Sequence, residues 1–562
     1  MKFSEMQYVR PDLDALKALT ERTVEALAGA KSADEQLEAY YGFEKASKTV
    51  ETMANIAYIR HTIDTRDEFY TQEQDWLDGV MPELEELNQK IGLAVLASPF
   101  RKELEEKLSP VLFRNLEVQV RSFKQELIPL MAEENRLTSQ YQKLYASAKV
   151  EFDGKVCTIA MLGPYKLSTD REVRRAAYEA EGSFFDAHRE ELDEIYDKLV
   201  KNRTQQAKLM GYENFLPLGY DRMSRISYGP AEVEAFRRQV VDSLVPVCRN
   251  VKTNQARRLN LDGLKLYDDV MMFPDGNATP MGTADDILAA GLKMYHELSP
   301  ETAEFIDFMY ENELLDVLAR EGKAPGGYCT SLPDYDAPFI FSNFNGTAGD
   351  VDVLTHEAGH AFAGYRANKM GYIRALQSPS LESCECHSMS MEFLTQDYHK
   401  YFFGDQTAKY EVGHCEDSLC FIPYGCLVDE FQHRVYENPD MTPQQRNELW
   451  ASLEKKYRPW INFEGIPFYG RGAGWQRQLH IYQMPFYYID YCLAQSVAFQ
   501  FWMASLADRG DAWKRYLAFA DKGGTCTFEE LVESAGLQVP YEEGCLATLG
   551  QGIAKWLEEN PL

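Results

Sequence analysis

The chain of 562 residues carries 88 acidic against 58 basic side chains, a formal charge of -30, with 45% apolar and 12% aromatic content. That length supports two or more domains, or one large bilobal body with a substantial core. So acidic a balance argues against the clustered Lys and Arg that nucleic acid or an anionic membrane demands, so neither partner is expected, and the charge reads as a solvated surface.

The opening MKFSEMQYVRPDLD meets acidic residues before any apolar core forms, unlike a secretory signal, and no apolar run reaches the roughly 18 residues of a membrane helix. The 11 cysteines are odd in number and scattered, the pattern of reduced thiols, so the expected compartment is cytoplasmic. From residue 11 to about 150 the pattern is long, charged and helical with few turn clusters, as antiparallel helices require. VEFDGKVCTIAMLGPYKL at 150–167 alternates around an Asp-Gly turn and predicts a short hairpin. A boundary is placed there, with 1–165 an N-terminal helical region and 166–562 the part that carries the chemistry. Helical patterning resumes at Ser168 and runs to about residue 320, interrupted by a loop at FPDGNATPMG, residues 273–282. FIFSNF at 339–344 reads as a strand ending at Asn345 and Gly346, and a strand edge there suits pairing with an extended peptide.

Directly after that strand comes DVDVLTHEAGHAFAGY, residues 350–365, in which two of only ten histidines stand four apart with Glu357 next to the first. Residues four apart share a helix face, so His356 and His360 converge with Glu357 just beside them. This is H-E-x-x-H, two zinc ligands and a general base. A catalytic zinc takes three protein ligands and keeps one position for water. The thermolysin spacing would put the third near Pro379 and Ser380, and the metzincin pattern would need Gly and His where Ala363 and Arg366 stand, so neither class fits. SPSLESCECHSMSMEFL at 378–394 predicts a second helix, with Ser378 as N-cap and Pro379 at its first position. Glu382, Glu385 and Glu392 share one face of it, and each is a candidate third ligand. Cys384, Cys386 and His387 point in differing directions and are read as packing residues rather than as a thiolate site. Glu382 is a candidate to accept a hydrogen bond from a ligand histidine.

HEAGH at 356–360 together with ECHSMSME at 385–392 resembles the M3 family of zinc oligopeptidases, thimet oligopeptidase and neurolysin among them, whose ligand glutamate lies 29 positions past the first histidine. Glu385 stands at that spacing from His356, and the resemblance makes it the third ligand. GTAGDVDVLT at 346–355 and YDAPFIFSNF at 335–344 are more specifically similar to the bacterial oligoendopeptidase F branch. The resemblance implies a mainly α, bilobal, neurolysin-like zincin with a small β-sheet beside the active-site helix, one Zn2+ per chain, and internal cleavage of short, unstructured oligopeptides. It also implies that a later histidine and tyrosines donate to the oxyanion of the tetrahedral intermediate, a role for which hydroxyl and imidazole N–H groups are suited. In GRGAGWQRQLHIYQMPFYYIDYCLAQSV at 470–497, His480 fits the histidine. Tyr491, with Tyr488 beside it, is expected to supply the hydroxyl, and Tyr482 and Tyr487 are alternates. The segment reads as a Gly-rich loop leading through His480 to a helix that starts at Pro485.

Overall fold

Polar caps and apolar stripes account for the N-terminal helices. In the computed structural model, which describes residues 1–562, helices span Leu13–Gly29, Ala33–Ile63 and Glu68–Leu96. Asp12, Ser32 and Asp67 cap them by accepting backbone N–H groups of the first turns. Their apolar faces close on a core that includes Leu27, Tyr40, Phe43, Ile91 and Phe113. Burying each such side chain contributes about 1.5–3 kcal/mol. The fold is 71% helical with only small sheets, the mainly α architecture expected.

The chain divides into two units of three stretches each: 1–121, 279–407 and 497–539 in the first, 122–278, 408–496 and 540–562 in the second. Both units draw residues from either side of position 165.

The first unit holds a three-stranded sheet in which Ala337–Phe344 runs between Leu315–Leu318, parallel to it, and Tyr328–Leu332, antiparallel to it. FIFSNF is therefore a strand, as expected, but a central one. Both of its edges are already paired, so the open edges of this sheet belong to the two flanking strands. The strand packs against the helix Ala348–Lys369, hereafter the histidine helix, and leads straight into it. At the junction the Asp350 carboxylate accepts the N–H groups of Asn345 at 2.9 Å and Gly346 at 2.7 Å. Gly346 takes a left-handed φ of 84°, which a side chain would oppose. Strand and helix are thus locked at a fixed angle where the histidines begin.

The second helix of the motif region, hereafter the glutamate helix, spans Leu381–Leu394. It starts two residues later than Ser378 and Pro379 predict. Ser380 is its N-cap and bonds the Ser383 hydroxyl at 3.0 Å, and the Pro379 carbonyl accepts from the Cys384 thiol.

In the second unit the predicted hairpin forms between Val150–Phe152 and Lys155–Cys157, turning through Asp153 and Gly154 at φ 51° and 70°. The long helix Thr407–Glu437 contains Pro423, which lacks the N–H that the Leu419 carbonyl would otherwise accept. The buried Cys248 thiol donates to that carbonyl instead, at 3.7 Å. The helix expected from Pro485 begins at Tyr488, because Phe486 adopts a φ of 69° and breaks the run. Arg225, fully buried, holds that turn by donating to the Phe486 carbonyl at 2.5 Å and to Asp490 at 2.6 Å. No helix is long and apolar enough to cross a membrane.

Candidate active site

His356 and His360 lie on one face of the histidine helix with ring centroids 5.0 Å apart. Gly359, between them, admits the glutamate helix: a Cβ there would meet the Ser388 Cα at 2.6 Å and the His387 carbonyl oxygen at 2.7 Å. This close crossing brings Glu385 Oε2 to 3.4 Å from His356 Nε2 and 3.5 Å from His360 Nε2. One donor atom from each of the three residues falls within 4.8 Å of the others. Glu385 is 7% exposed while the two histidines are 23% and 21% exposed, so the cluster is buried behind and open in front.

The far nitrogen of His356, Nδ1, lies 2.7 Å from Glu392 Oε1. That bond keeps a proton on Nδ1 and leaves Nε2 as the nitrogen that faces Glu385 and is free to ligate. Glu392 therefore takes the supporting role for which Glu382 was a candidate. It stands two turns beyond Glu385 on the same face, so the spacing that made it a candidate ligand is also what lets it reach His356. Ser388 donates to Glu385 Oε2 at 3.1 Å.

Electrostatics follow from burial and this pairing. Burial opposes a charge on His356, but the hydrogen bonds and charges of Glu385 and Glu392 more than reverse it and hold its pKa well above the usual range. Burial likewise raises Glu385, and its histidine partners outweigh that and carry it well below the carboxylate range. Glu357, 9% exposed, is pushed up by burial, with the two histidines opposing and Glu385 and Glu392 assisting. Of the three read as packing residues, Cys386 and His387 are buried and Cys384 is half-buried. Burial, with His360 nearby, lowers His387 to about 3, which keeps it neutral. Its carbonyl accepts from Tyr516 at 2.9 Å and its ring meets Phe519 edge to face.

These residues are placed to hold a single metal ion, and zinc-type spacing tests the fit. Donors bound tetrahedrally at about 2.0–2.1 Å stand roughly 3.3 Å apart, close to the 3.4 and 3.5 Å found between Glu385 and the two Nε2 atoms.

His480 lies in the second unit, in the short helix Leu479–Gln483 rather than in a loop. Around it the unit gathers Tyr487, Tyr488 and Tyr491, with ring centroids 5.8, 5.0 and 6.0 Å from the imidazole. Tyr424 donates to Gln478 Oε1 at 2.8 Å, and Gln478 Nε2 donates to His480 Nδ1 at 2.9 Å. An Nδ1 that accepts leaves the ring proton on Nε2. The alternate Tyr482 is a core residue, stacked on Tyr141 with its hydroxyl donating to the Leu192 carbonyl. Gln478 and Tyr424 were not singled out from sequence, since nothing in a lone Gln or Tyr marks a partner for a distant ring.

Two family profiles match the chain, one described as Peptidase M3 N-terminal domain over residues 3–123 and one as Peptidase family M3 over residues 165–551. The chain belongs to peptidase family M3. Within it, the M3 chain is 24% identical over 299 residues to the group B oligopeptidase PepB of Streptococcus agalactiae serotype III (strain NEM316), a match covering 52% of this chain and 48% of that protein. It is 21% identical over 387 residues to an oligoendopeptidase F homolog of Lactococcus lactis subsp. lactis (strain IL1403), covering 66% and 61%. The matched region thus spans about half to three fifths of these curated relatives. Among solved structures, PZ peptidase A with an inhibitor aligns at a TM-score of 0.95 with 47% identity over 99% of each chain. A putative oligoendopeptidase F from Bacillus anthracis str. Ames aligns at 0.89 with 43% identity, over 100% of this chain and 98% of that one. The M3 chain sits in the oligoendopeptidase F branch.

Proposed function

We propose that the chain is a zinc endopeptidase that hydrolyses internal bonds of short oligopeptides, with its chemistry in residues 166–562. The observation that carries the reading is the convergence of His356, His360 and Glu385 beside a buried Glu357. His356, His360 and Glu385 hold the ion, and Glu392 keeps His356 in the ligating tautomer. Bound zinc supplies Lewis acidity, which acidifies water and polarises a carbonyl. Glu357 takes the proton of the attacking water and passes it to the leaving amine, a task for which a carboxylate raised by burial is better matched than an ordinary one. His480 and Tyr491, with Tyr488, donate to the oxyanion, and the Gln478 bond that keeps the His480 proton on Nε2 supports this role. Neither nucleic acid nor membrane is a partner in this reading, and the enzyme works in the cytoplasm on peptides.

The test compares wild type with Glu357→Gln for zinc content and for the product masses of a short, internally quenched peptide. Both proteins should hold about one zinc, and only the wild type should cut internally. A zinc-loaded Glu357→Gln protein with near-normal turnover overturns the general-base assignment, and a wild type that takes up no zinc overturns the metal reading.

A further inference from the structure

A cleft of about 430 Å³ opens within the second unit, and Tyr488 and Gln478 of the His480 cluster form part of its wall. Two cations, Lys166 and Arg477, line it, and both reach the same carboxylate, the fully buried Glu181. Arg477 commits only its Nε to Glu181, at 2.5 Å, and its side chain is 44% exposed, so its terminal nitrogens face the cleft. The other ion pairs of the wall are closed: Arg458 is bidentate to Glu454, and Lys252 neutralises Asp269. Tyr178 and Tyr469 also line the cleft, and no group of the protein satisfies their hydroxyls.

The site thus offers the terminal nitrogens of Arg477 and two tyrosine hydroxyls as donors not committed within the protein. Burial, and then the charge of Arg477, lower Lys166 to about 7, so Arg477 is the cation of the pair that stays charged at neutral pH. A planar carboxylate can accept from both terminal nitrogens of an arginine, and the neighbouring hydroxyls can donate to it as well.

We propose that this cleft binds the C-terminal carboxylate of the peptide substrate, with Arg477 as its partner and the Tyr178 and Tyr469 hydroxyls as further donors. The inference rests on the peptidase reading above. Apolar wall residues, among them Leu167, Val270 and Trp450, accommodate the last side chain.

The experiment uses a peptide as its free C-terminal acid, the same peptide as its C-terminal amide, and an amide in which the last residue is replaced by Glu. Each is cleaved by the zinc-loaded wild type, Arg477→Gln and Tyr469→Phe. The acid should show a KM about tenfold or more below that of the amide, the Glu amide should not recover that advantage, and Arg477→Gln should bring the acid-to-amide ratio toward one. Tyr469→Phe, which keeps its ring packing, should remove part of the preference even if Arg477→Gln fails to fold. Wild-type cleavage with equal KM for acid and amide overturns the subsite and leaves the peptidase reading intact. Full recovery by the Glu amide transfers the site to acidic side chains and overturns the terminus assignment. Zinc-loaded wild type that cuts none of the peptides defeats the peptidase reading, and the subsite falls with it.

Discussion

Glu392 Oε1 accepts a hydrogen bond from His356 Nδ1 at 2.7 Å, across the crossing of the histidine and glutamate helices. The bond fixes which nitrogen of the ring can ligate. Glu392→Ala should leave the fold intact and weaken zinc binding about 10–100-fold. Competition with a chelator measures this, and an unchanged affinity would show that His356 is oriented by other means.

Gly359→Ala tests the crossing itself. A Cβ there lies 2.6 Å from the Ser388 Cα, which is backbone and cannot swing aside. The helices must separate, at a cost of about 1–3 kcal/mol, and Glu385 must retreat from both histidines. Unfolding midpoint and zinc affinity should therefore drop together; a drop in neither would mean that the crossing has slack.

The sequence carries part of this site and not the rest. His356, Glu357 and His360 are legible because a helix repeats, so their spacing alone brings them together. Glu385 needed a family resemblance, since three glutamates share its face and only the neighbouring helix selects among them. The strand at 339–344 was readable from its apolar run, yet its central place in the sheet was not, because pairing depends on partners at 315–318 and 328–332. The starts at Leu381 and Tyr488 were missed because proline permits a first helical turn without requiring one, and at Phe486 the clamp from Arg225 imposes a left-handed residue. Gln478 and Tyr424 act only through contacts that tertiary structure creates.

Cys248 and Pro423 should be energetically coupled. The thiol serves the Leu419 carbonyl that the proline leaves without its helical N–H. Cys248→Ala should cost about 1–3 kcal/mol more with Pro423 present than in Pro423→Ala, where the backbone supplies the donor. A double-mutant cycle on unfolding free energy reads the difference, and additive effects would show the thiol to be mere packing.

Glu134 should give stability a specific acid dependence. Burial disfavours its charge, but Arg203 at 2.6 Å and Arg222 at 3.1 Å outweigh that and lower it to about 2. Its pKa in the folded state is below that of the unfolded chain. Its contribution, about 3 kcal/mol, is therefore complete above the ordinary glutamate range and disappears as pH falls from about 4.5 toward 2. Glu134→Gln should destabilise by about 3–5 kcal/mol at neutral pH, by leaving two arginines underpaired. The gap to wild type should close over that acid range in pH-dependent denaturant unfolding; parallel curves would rule out this linkage.

The interleaving of three stretches in each unit bears on how the protein is made. Tyr516, which props the glutamate helix through the His387 carbonyl, leaves the ribosome 129 positions after its partner. The first unit also waits for residues 497–539, and the second for 540–562. Neither unit can complete its packing before its third stretch is made, and the helices that carry the histidines and Glu385 emerge long before Tyr516. A chain cut short before residue 497 lacks a stretch of each unit, so both are left incomplete together.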